Sequence, residues 1–556
     1  MATRPASLLA AAALASLPFE STSLAFPLGP LTVTLPEALL GLAVAVTALA
    51  AWEARRDAPL LVDGRFVVAV GLFLGVLLVS AALAPEQQGN AVRFTLRLAG
   101  GAAFGWAVAW LVRADPARGG LLLGAYAGGV VAAAGIGLLE LQLGARLDPL
   151  LARFRDHPVY VAGVRRLTGT YGYSNIAATS MALALPVLAA LQSRVALVAI
   201  AAVVPALMLT YSRGGFCAAL LGLLALAWLA GPGRRARPWG AAVALAVAWV
   251  VLAQVDTLLP RRTAGQADTA LLAARVQAPP ARLLATSGTR GVMRVSITNT
   301  GSLPWASSGE APYRVTSVWY DVGGRRLPVP TPRTELPAYV KPGQTVTVEG
   351  RYIVPEHRGR AWLVWDVLIE RRLYLGEYGS ARGWVPAVVG RDEAEARQLD
   401  AALPESARPA TARAWIQPTR GQLWTAALAM ARERPWVGQG PDSYRWTYGR
   451  YLDLSWWDTR VYANNLALEL LATTGALGLA AFLVVLGVSG WAGLARLRGA
   501  IPPESRRWLA VGLAMLVVVL AHGLVDYFLE FTAGYVPLWT AAGLIVGLAA
   551  PDVTRS

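Results

Sequence analysis

The sequence predicts an all-α polytopic membrane protein of about twelve transmembrane helices with one inserted extracytoplasmic β-domain; three observations carry that prediction. Hydrophobic residues fill 55% of the 556 positions and charged residues only 15%, against about 25% in soluble domains. The apolar residues gather into runs of the roughly 17–25 positions that span a bilayer. One stretch, about 286–390, abandons that pattern for short β-type runs between turn residues.

The apolar segments fall near 6–25, 35–52, 66–84, 92–112, 119–142, 174–192, 194–211, 214–230, 238–258, 463–488, 508–527 and 533–550. Arg4 ahead of an apolar stretch and Ser23-Leu24-Ala25 imitate a signal peptide, but the next apolar run opens near Leu35. The first segment is therefore read as a transmembrane helix interrupted near Pro18. Arginines mark alternate connections: Arg55, Arg56 and Arg65; Arg113 and Arg118; Arg194; Arg234, Arg235 and Arg237; Arg496, Arg498, Arg506 and Arg507. By the positive-inside rule these loops face the cytoplasm, so 143–173 and the long segment 259–462 face outward. The expected organisation is helices 1–9 over 1–258, an extracytoplasmic region over 259–462, and helices 10–12 over 463–556. The expected location is the bacterial inner membrane, with the large domain on the periplasmic or outer side.

The net charge of +16 sits largely in those topology-setting loops, so no nucleic-acid partner is expected. Cys217 is the single cysteine, and His157, His357 and His522 are far apart, which predicts neither a disulfide nor a metal site, and no cofactor.

Within the long segment, residues 259–285 read as an Ala, Pro and Arg-rich linker. Strands are expected over Val292–Thr298, Tyr313–Val322, Thr345–Val354 and Ala361–Ile369, with turns at Asn299-Thr300-Gly301 and Lys341-Pro342-Gly343. Several short strands in about 100 residues predict a small β-sandwich. The run Asn299-Thr300-Gly301 through Trp305 resembles the edge of immunoglobulin-like accessory domains, which bind or position. Residues 391–415 read as a charged, partly helical connector.

Cations on the outer side have no topological purpose and are candidate site residues. Arg93 and Arg97 share one helical face; Arg165-Arg166 close the 143–173 loop; Arg213 follows Tyr211 in the turn Thr210-Tyr211-Ser212-Arg213-Gly214-Gly215; Arg420 opens a helical stretch. One such arginine is most simply a headgroup anchor. Several on one side suit an anion at the bilayer surface, since guanidinium groups bind phosphate oxygens bidentately, and a lipid pyrophosphate fits. His522 and Asp526 stand four apart, near enough to hydrogen-bond, and Glu140 is similarly located. The dense aromatic residues between 436 and 462 are more simply interface anchors than sugar-stacking faces.

Five blocks resemble, in order, those of the O-antigen ligase/polymerase superfamily. They are Tyr171-Gly172-Tyr173-Ser174-Asn175; Tyr211-Ser212-Arg213-Gly214-Gly215; Arg434-Pro435-Trp436-Val437-Gly438-Gln439-Gly440 with Tyr444; Asn465 to Glu469 running into Gly475-Ala476-Leu477-Gly478; and His522-Gly523-Leu524-Val525-Asp526. The resemblance spans about 90–548. It implies a metal-independent membrane glycosyltransferase of the multi-helix type, which moves a glycan from undecaprenyl-pyrophosphate to a lipid, glycan or protein acceptor. A ligase is expected; a polymerase and a protein O-oligosaccharyltransferase are the alternatives, with a transporter the competing class. By motif, Arg213 and Arg420 correspond to the family's essential arginines, and Asn464 stands where its ligases carry a histidine. Asn464 cannot serve as a base; either Asp442, Asp453, Asp458 or Glu469, near in sequence, supplies one, or the reaction relies on leaving-group departure, or the acceptor differs from that of typical ligases. Labelling of single cysteines should find Gly301→Cys outside and Arg235→Cys inside; the reverse pattern overturns the orientation.

Overall fold

The computed structural model describes residues 3–550 apart from 22, 24, 29–30, 56–62, 156–158, 162–163, 232–233, 256–271, 309–311, 338, 371–372, 406, 410–417 and 455–456. Arg56, His157 and residues 259–271 of the expected linker lie outside the described residues. The chain divides into two compact units. One holds Met1–Val159, Arg166–Asp256 and Pro418–Ser556; the other holds Tyr160–Arg165 and Thr257–Gln417.

The first unit is a helical array. In order it runs α1 (Thr3–Ser16), α2 (Leu35–Glu53), α3 (Gly64–Ala82), α4 (Gln88–Ala114), α5 (Arg118–Leu143), the short α6 (Asp148–Leu151), α7 (Ser174–Ala190), α8 (Arg194–Leu209), α9 (Arg213–Leu229) and α10 (Ala236–Val255). A short antiparallel pair, β1 (Phe26–Leu28) and β2 (Leu31–Val33), lies between α1 and α2. Seven described helices are long and apolar enough to cross a membrane: α2 to α5, Leu466–Leu497, Pro503–Gly523 and Thr532–Ala549. Helices α7 to α10 are apolar but shorter. A helix of 17 residues reaches about 25 Å, less than the roughly 30 Å hydrocarbon core. The segment expected over 6–25 yields only α1, which ends in the 3₁₀ turn Leu17–Phe19 because Pro18 cannot donate the next helical bond. Side chains cap several helix starts: Thr34 and Glu37 form a capping box on α2, and Asp63 Oδ1 accepts from Arg65 N at 2.7 Å on α3.

The second unit begins with β3 (Tyr160–Val161) and β4 (Val164–Arg165), a small hairpin. Its main sheet contains β6 (Leu283–Thr286), β9 (Tyr313–Asp321), β10 (Arg333–Glu335), β13 (Gly359–Ile369) and β15 (Gly383–Gly390), ordered β10-β9-β13-β15-β6, with β14 (Leu373–Tyr374) paired to the end of β13. A three-stranded sheet is ordered β12-β7-β5, from β5 (Ala274–Gln277), β7 (Arg290–Asn299) and β12 (Thr345–Ile353). The two-residue strands β8 (Trp305–Ala306) and β11 (Tyr339–Val340) pair with each other. Buried Val295, Ile297, Trp319, Leu363 and Trp365 form the core of this unit, and Tyr352 meets Trp365 edge-on at 6.3 Å. The Asn299 turn is held by its own side chain: Nδ2 donates to Leu303 O at 2.8 Å and Val340 O at 3.1 Å, and Oδ1 accepts from Gly301 N. Trp305 is fully buried and stacks on Tyr313.

One sequence expectation needs correction, while the partly helical connector is found as expected. The region read as linker contributes β5 and β6. Strand β6 pairs parallel with β15 and β5 pairs antiparallel with β7, contacts distant in sequence that local composition does not reveal. The connector after 390 carries α11 (Glu393–Ala402), N-capped by Asp392 and packed on β15 and β6.

The chain returns to the helical unit through α12 (Arg420–Glu433) and the single turn α13 (Tyr444–Thr447), followed by α14 (Leu466–Leu497), α15 (Pro503–Gly523) and α16 (Thr532–Ala549). Helix α14 is broken at Gly475, where φ is 68° and ψ is −172°. The loop after α12 fills the break. Gln439 N donates to Ala472 O at 3.0 Å, Gly440 N to Thr473 O at 2.8 Å, and Ala476 N to Pro435 O at 2.8 Å. Ser80 Oγ, on α3, donates to Val437 O at 2.6 Å and Thr473 O at 3.1 Å. Backbone groups released by the break are thus paired inside the protein, as apolar surroundings require.

A Cβ at Gly438, where φ is 66°, would lie 2.3 Å from the Thr473 carbonyl carbon. Gly438→Ala therefore adds a backbone clash to the roughly 1–2 kcal/mol of left-handed strain, and should sharply lower the detergent-solubilised melting temperature. Gly487→Ala in α14 meets open space and should not. Equal melting of the two variants contradicts the packing of this loop.

Candidate active site

Arg213 is set by a turn built around it. Tyr211 takes φ 53°, and Ser212 Oγ accepts from Gly215 N at 3.2 Å, so that Arg213 becomes the first, exposed residue of α9. A Cβ on Gly214 would lie 2.6 Å from Val525 Cγ2 and 2.9 Å from His522 Cδ2, so only glycine lets α9 start against the end of α15. Arg166 supports the same turn. Its Nε donates to Thr210 O and its Nη2 to Asn175 Oδ1, each at 2.7 Å, while Leu167 N donates to Leu209 O.

Arg420 is the exposed first residue of α12, whose start is fixed by the capping box of Thr419 and Gln422. Although the residue as a whole is exposed, protein around the guanidinium strips it of water and lowers the Arg420 pKa; the Asp526 carboxylate opposes that shift and the Arg213 charge adds to it. Asp526 and Arg213 are thus the charges that Arg420 feels. Asp526 lies just beyond α15; its Oδ1 accepts from Tyr527 N at 2.8 Å. Its buried Oδ2 has no hydrogen-bond partner among the described residues and stands 3.7 Å from His522 Nε2. His522 is held from the other side, with Nδ1 2.9 Å from Thr179 Oγ1 on α7.

The segment before α14 approaches the same place. Asn464 sits at φ 51° and its Nδ2 donates to Tyr462 O at 3.2 Å. Asn465 caps α14 and donates from Nδ2 to Leu524 O at 2.8 Å, two residues short of Asp526. Glu469 Oε2 accepts from Ala463 N at 2.7 Å, which fixes the loop from below.

A second group of charges surrounds a cavity of about 150 Å³ lined by Thr32, Asn90, Arg93, Phe94, Arg97, Asp442, Arg445 and Glu530. Arg97 pairs with Glu37 at 3.2 Å and Glu530 at 3.6 Å. Arg445 grips Asp442 with two bonds of 2.8 and 2.6 Å and also lies 3.6 Å from Glu530. Burial, then the Asp442 charge, push Glu530 up to about 8, against the pull of Arg445 and Arg97.

The structure therefore brings Arg213, Tyr211, Arg420, His522 and Asp526 together, with Arg166 behind the turn and Asn464 on the adjoining loop. Arg93 and Arg97 belong to the second group. Arg165 lies in the β3–β4 hairpin of the other unit, opposite Tyr160. Glu140 is a structural residue at the end of α5, bonded to Arg155 at 2.6 Å and Gly169 N at 2.8 Å. Sequence reasoning missed Glu37, Arg445, Glu530 and Thr179. The i, i+3 pair Asp442–Arg445 and the isolated Glu530 between apolar runs were available signals.

The fold and this group of residues define a helical membrane protein with paired arginines at the helix ends. Residues 397–483 match the family model described as O-antigen ligase. That segment includes α12, the loop that fills the α14 break, and the first half of α14. No curated protein matches the chain. Among solved structures it is similar to the Pseudomonas fluorescens alkylpurine DNA glycosylase AlkC bound to DNA containing an abasic site analog. Identity is 13%, over 58% of this chain and 98% of that one, with a TM-score of 0.14, too low to carry an argument.

A carboxyl raised from its ordinary 4.5 to about 8 binds its proton more tightly folded than unfolded. The Glu530 contribution to stability accordingly falls as pH rises through that window and levels beyond it. Melting in detergent between pH 5 and 9 should show the wild type losing stability relative to Glu530→Gln up to about pH 8. A constant difference between the two contradicts the burial of this charge.

Proposed function

We propose that this chain transfers a glycan from an undecaprenyl-pyrophosphate carrier to an acceptor hydroxyl at the outer face of the bacterial inner membrane, in the manner of an O-antigen ligase. The observation that carries the reading is that α9, headed by Arg213, starts against Val525 and His522 beside Asp526, whose Oδ2 has no hydrogen-bond partner among the described residues. In the reaction the acceptor oxygen bonds to the anomeric carbon while the bond from that carbon to the pyrophosphate oxygen breaks. The electron pair leaves with the pyrophosphate, and the acceptor hydroxyl gives up its proton.

Each step has a matching group. Arg213 and Arg420 neutralise the charge that grows on the departing pyrophosphate, where fixed cations stabilise the transition state more than the bound substrate. Asp526 Oδ2 takes the acceptor proton, with the carboxylate held at Oδ1 by Tyr527 N. This answers the absence of a histidine at Asn464: the base comes from the end of α15 instead. Asn464, at a strained backbone position beside that end, offers an amide to a sugar hydroxyl. Arg166 keeps the Arg213 turn in shape.

The same reading takes all twelve apolar segments as crossings, the short α7–α10 helices included, and the strand-rich unit as an immunoglobulin-like module that helps select the acceptor. Four strands near the expected positions and the side-chain-locked Asn299 turn support it.

Arg213→Lys keeps the positive charge and loses the two-pronged geometry. It should cost roughly 100- to 1,000-fold in transfer from purified carrier-linked glycan to acceptor in reconstituted vesicles, with insertion unchanged. Arg234→Lys, in a loop expected on the opposite side, should cost little. Near-normal turnover by Arg213→Lys refutes the clamp.

A further inference from the structure

The arginines expected to act together fall into two groups of different chemistry. Arg420 feels the Arg213 cation and the Asp526 carboxylate. Around the 150 Å³ cavity, cations and carboxylates alternate: Arg97 between Glu37 and Glu530, Arg445 between Asp442 and Glu530. A site for a phosphate wants donors without competing anions. This wall instead presents donors and acceptors side by side, for each carboxylate has about four lone-pair sites and its arginine contacts leave some of them over.

The remaining lining completes the pattern. Asn90, half-buried and bonded to Gln87 Oε1 at 2.9 Å, contributes an amide with both donor and acceptor atoms. Thr32 adds a hydroxyl, and Phe94 closes the apolar side. Arg93 stands exposed at the cavity, and no ion pair of its own holds it among the described residues. The ion pairs also make the wall rigid: Arg445 is fixed at two points on Asp442, which is itself buried. Fixed polar groups of both kinds beside one aromatic face match a ring that carries several neutral hydroxyls.

We propose that this cavity is a saccharide subsite that binds one neutral sugar residue, separate from the Arg213–Arg420 centre. The proposal rests on the glycan-transfer reading only for the origin of the sugar, which belongs either to the carrier-linked glycan or to a glycosylated acceptor. Asn90 and Arg93 grip hydroxyls at the rim, and Asp442 and Glu530 accept from hydroxyls deeper in.

Saturation-transfer NMR on the purified full-length chain tests it, in a detergent without a sugar head group. Glucose, galactose, rhamnose and N-acetylglucosamine serve as probes and inorganic pyrophosphate as competitor. At least one sugar should bind the wild type and bind about tenfold more weakly to Arg93→Ala, the scale of one lost charged hydrogen bond. Asn90→Leu, which fills the cavity without touching the ion pairs, should weaken it likewise, with melting temperature as the folding check. Arg213→Lys should bind sugar normally while losing transfer, so failure of the transfer reading and failure of the subsite are seen separately. Where transfer is measured, a raised KM for the carrier-linked glycan in Arg93→Ala assigns the sugar to the donor, and a raised KM for acceptor assigns it there. The subsite is overturned if no neutral sugar binds, if both cavity variants bind as the wild type does, or if pyrophosphate displaces the sugar.

Discussion

A backbone polar group in an apolar medium must find a partner within the protein, and the break in α14 at Gly475 is where this chain meets that demand. A continuous helix would need no help from elsewhere. Broken, it releases the carbonyls of Ala472 and Thr473, and the Pro435–Gly440 loop supplies the amide groups they accept from. The same contact fixes the residues just beyond the loop. Asp442 and Arg445 stand two and five residues past Gly440, and Tyr444 packs under α12 with its hydroxyl on Leu423 O at 2.8 Å. Arg420, at the other end of α12, is therefore positioned by the clasp at one remove. So is the loop that carries Asn464, through the helix start just ahead of the break.

The charges have a related logic. Carboxylates among apolar helices are costly unless paired, and breaking one pair leaves its partner unneutralised. Glu37 and Glu530 meet Arg97; Asp442 meets Arg445; Glu140 meets Arg155. Asp526 is the contrast. Its nearest basic neighbour is His522 at 3.7 Å, and one oxygen is left without a hydrogen bond among the described residues. A polar atom left unsatisfied in a folded protein is destabilising, and its retention beside two arginines is what a group reserved for substrate looks like.

Much of this was legible in the sequence because it is local. Four strand expectations lie within about two residues of β7, β9, β12 and β13, since alternation and turn residues are read over a short window. The Asn299 turn was visible for the same reason, and Arg213 announced itself by being a cation between a cap and two glycines. What escaped was non-local. Strands β5 and β6 exist by pairing with β7 and β15, so their own composition reads as linker. The meeting of Glu37, Arg97, Arg445 and Glu530 joins four regions of the chain, and no spacing rule connects them. The glycines at 438 and 475 stand in family-like blocks; positive φ and the close backbone of Thr473 and Trp436, respectively, explain why both must be glycine.

The central claim is that the carrier's pyrophosphate is held between Arg213 and Arg420. The most direct measurement is an electron cryo-microscopy map of the full chain in lipid nanodiscs with undecaprenyl pyrophosphate bound. Diphosphate density should lie in contact with both guanidinium groups, with Asp526 alongside and no diphosphate in the cavity beside Arg97. Diphosphate density bound at Arg93 and Arg97 instead, with Arg213 and Arg420 turned away from it, would contradict that claim.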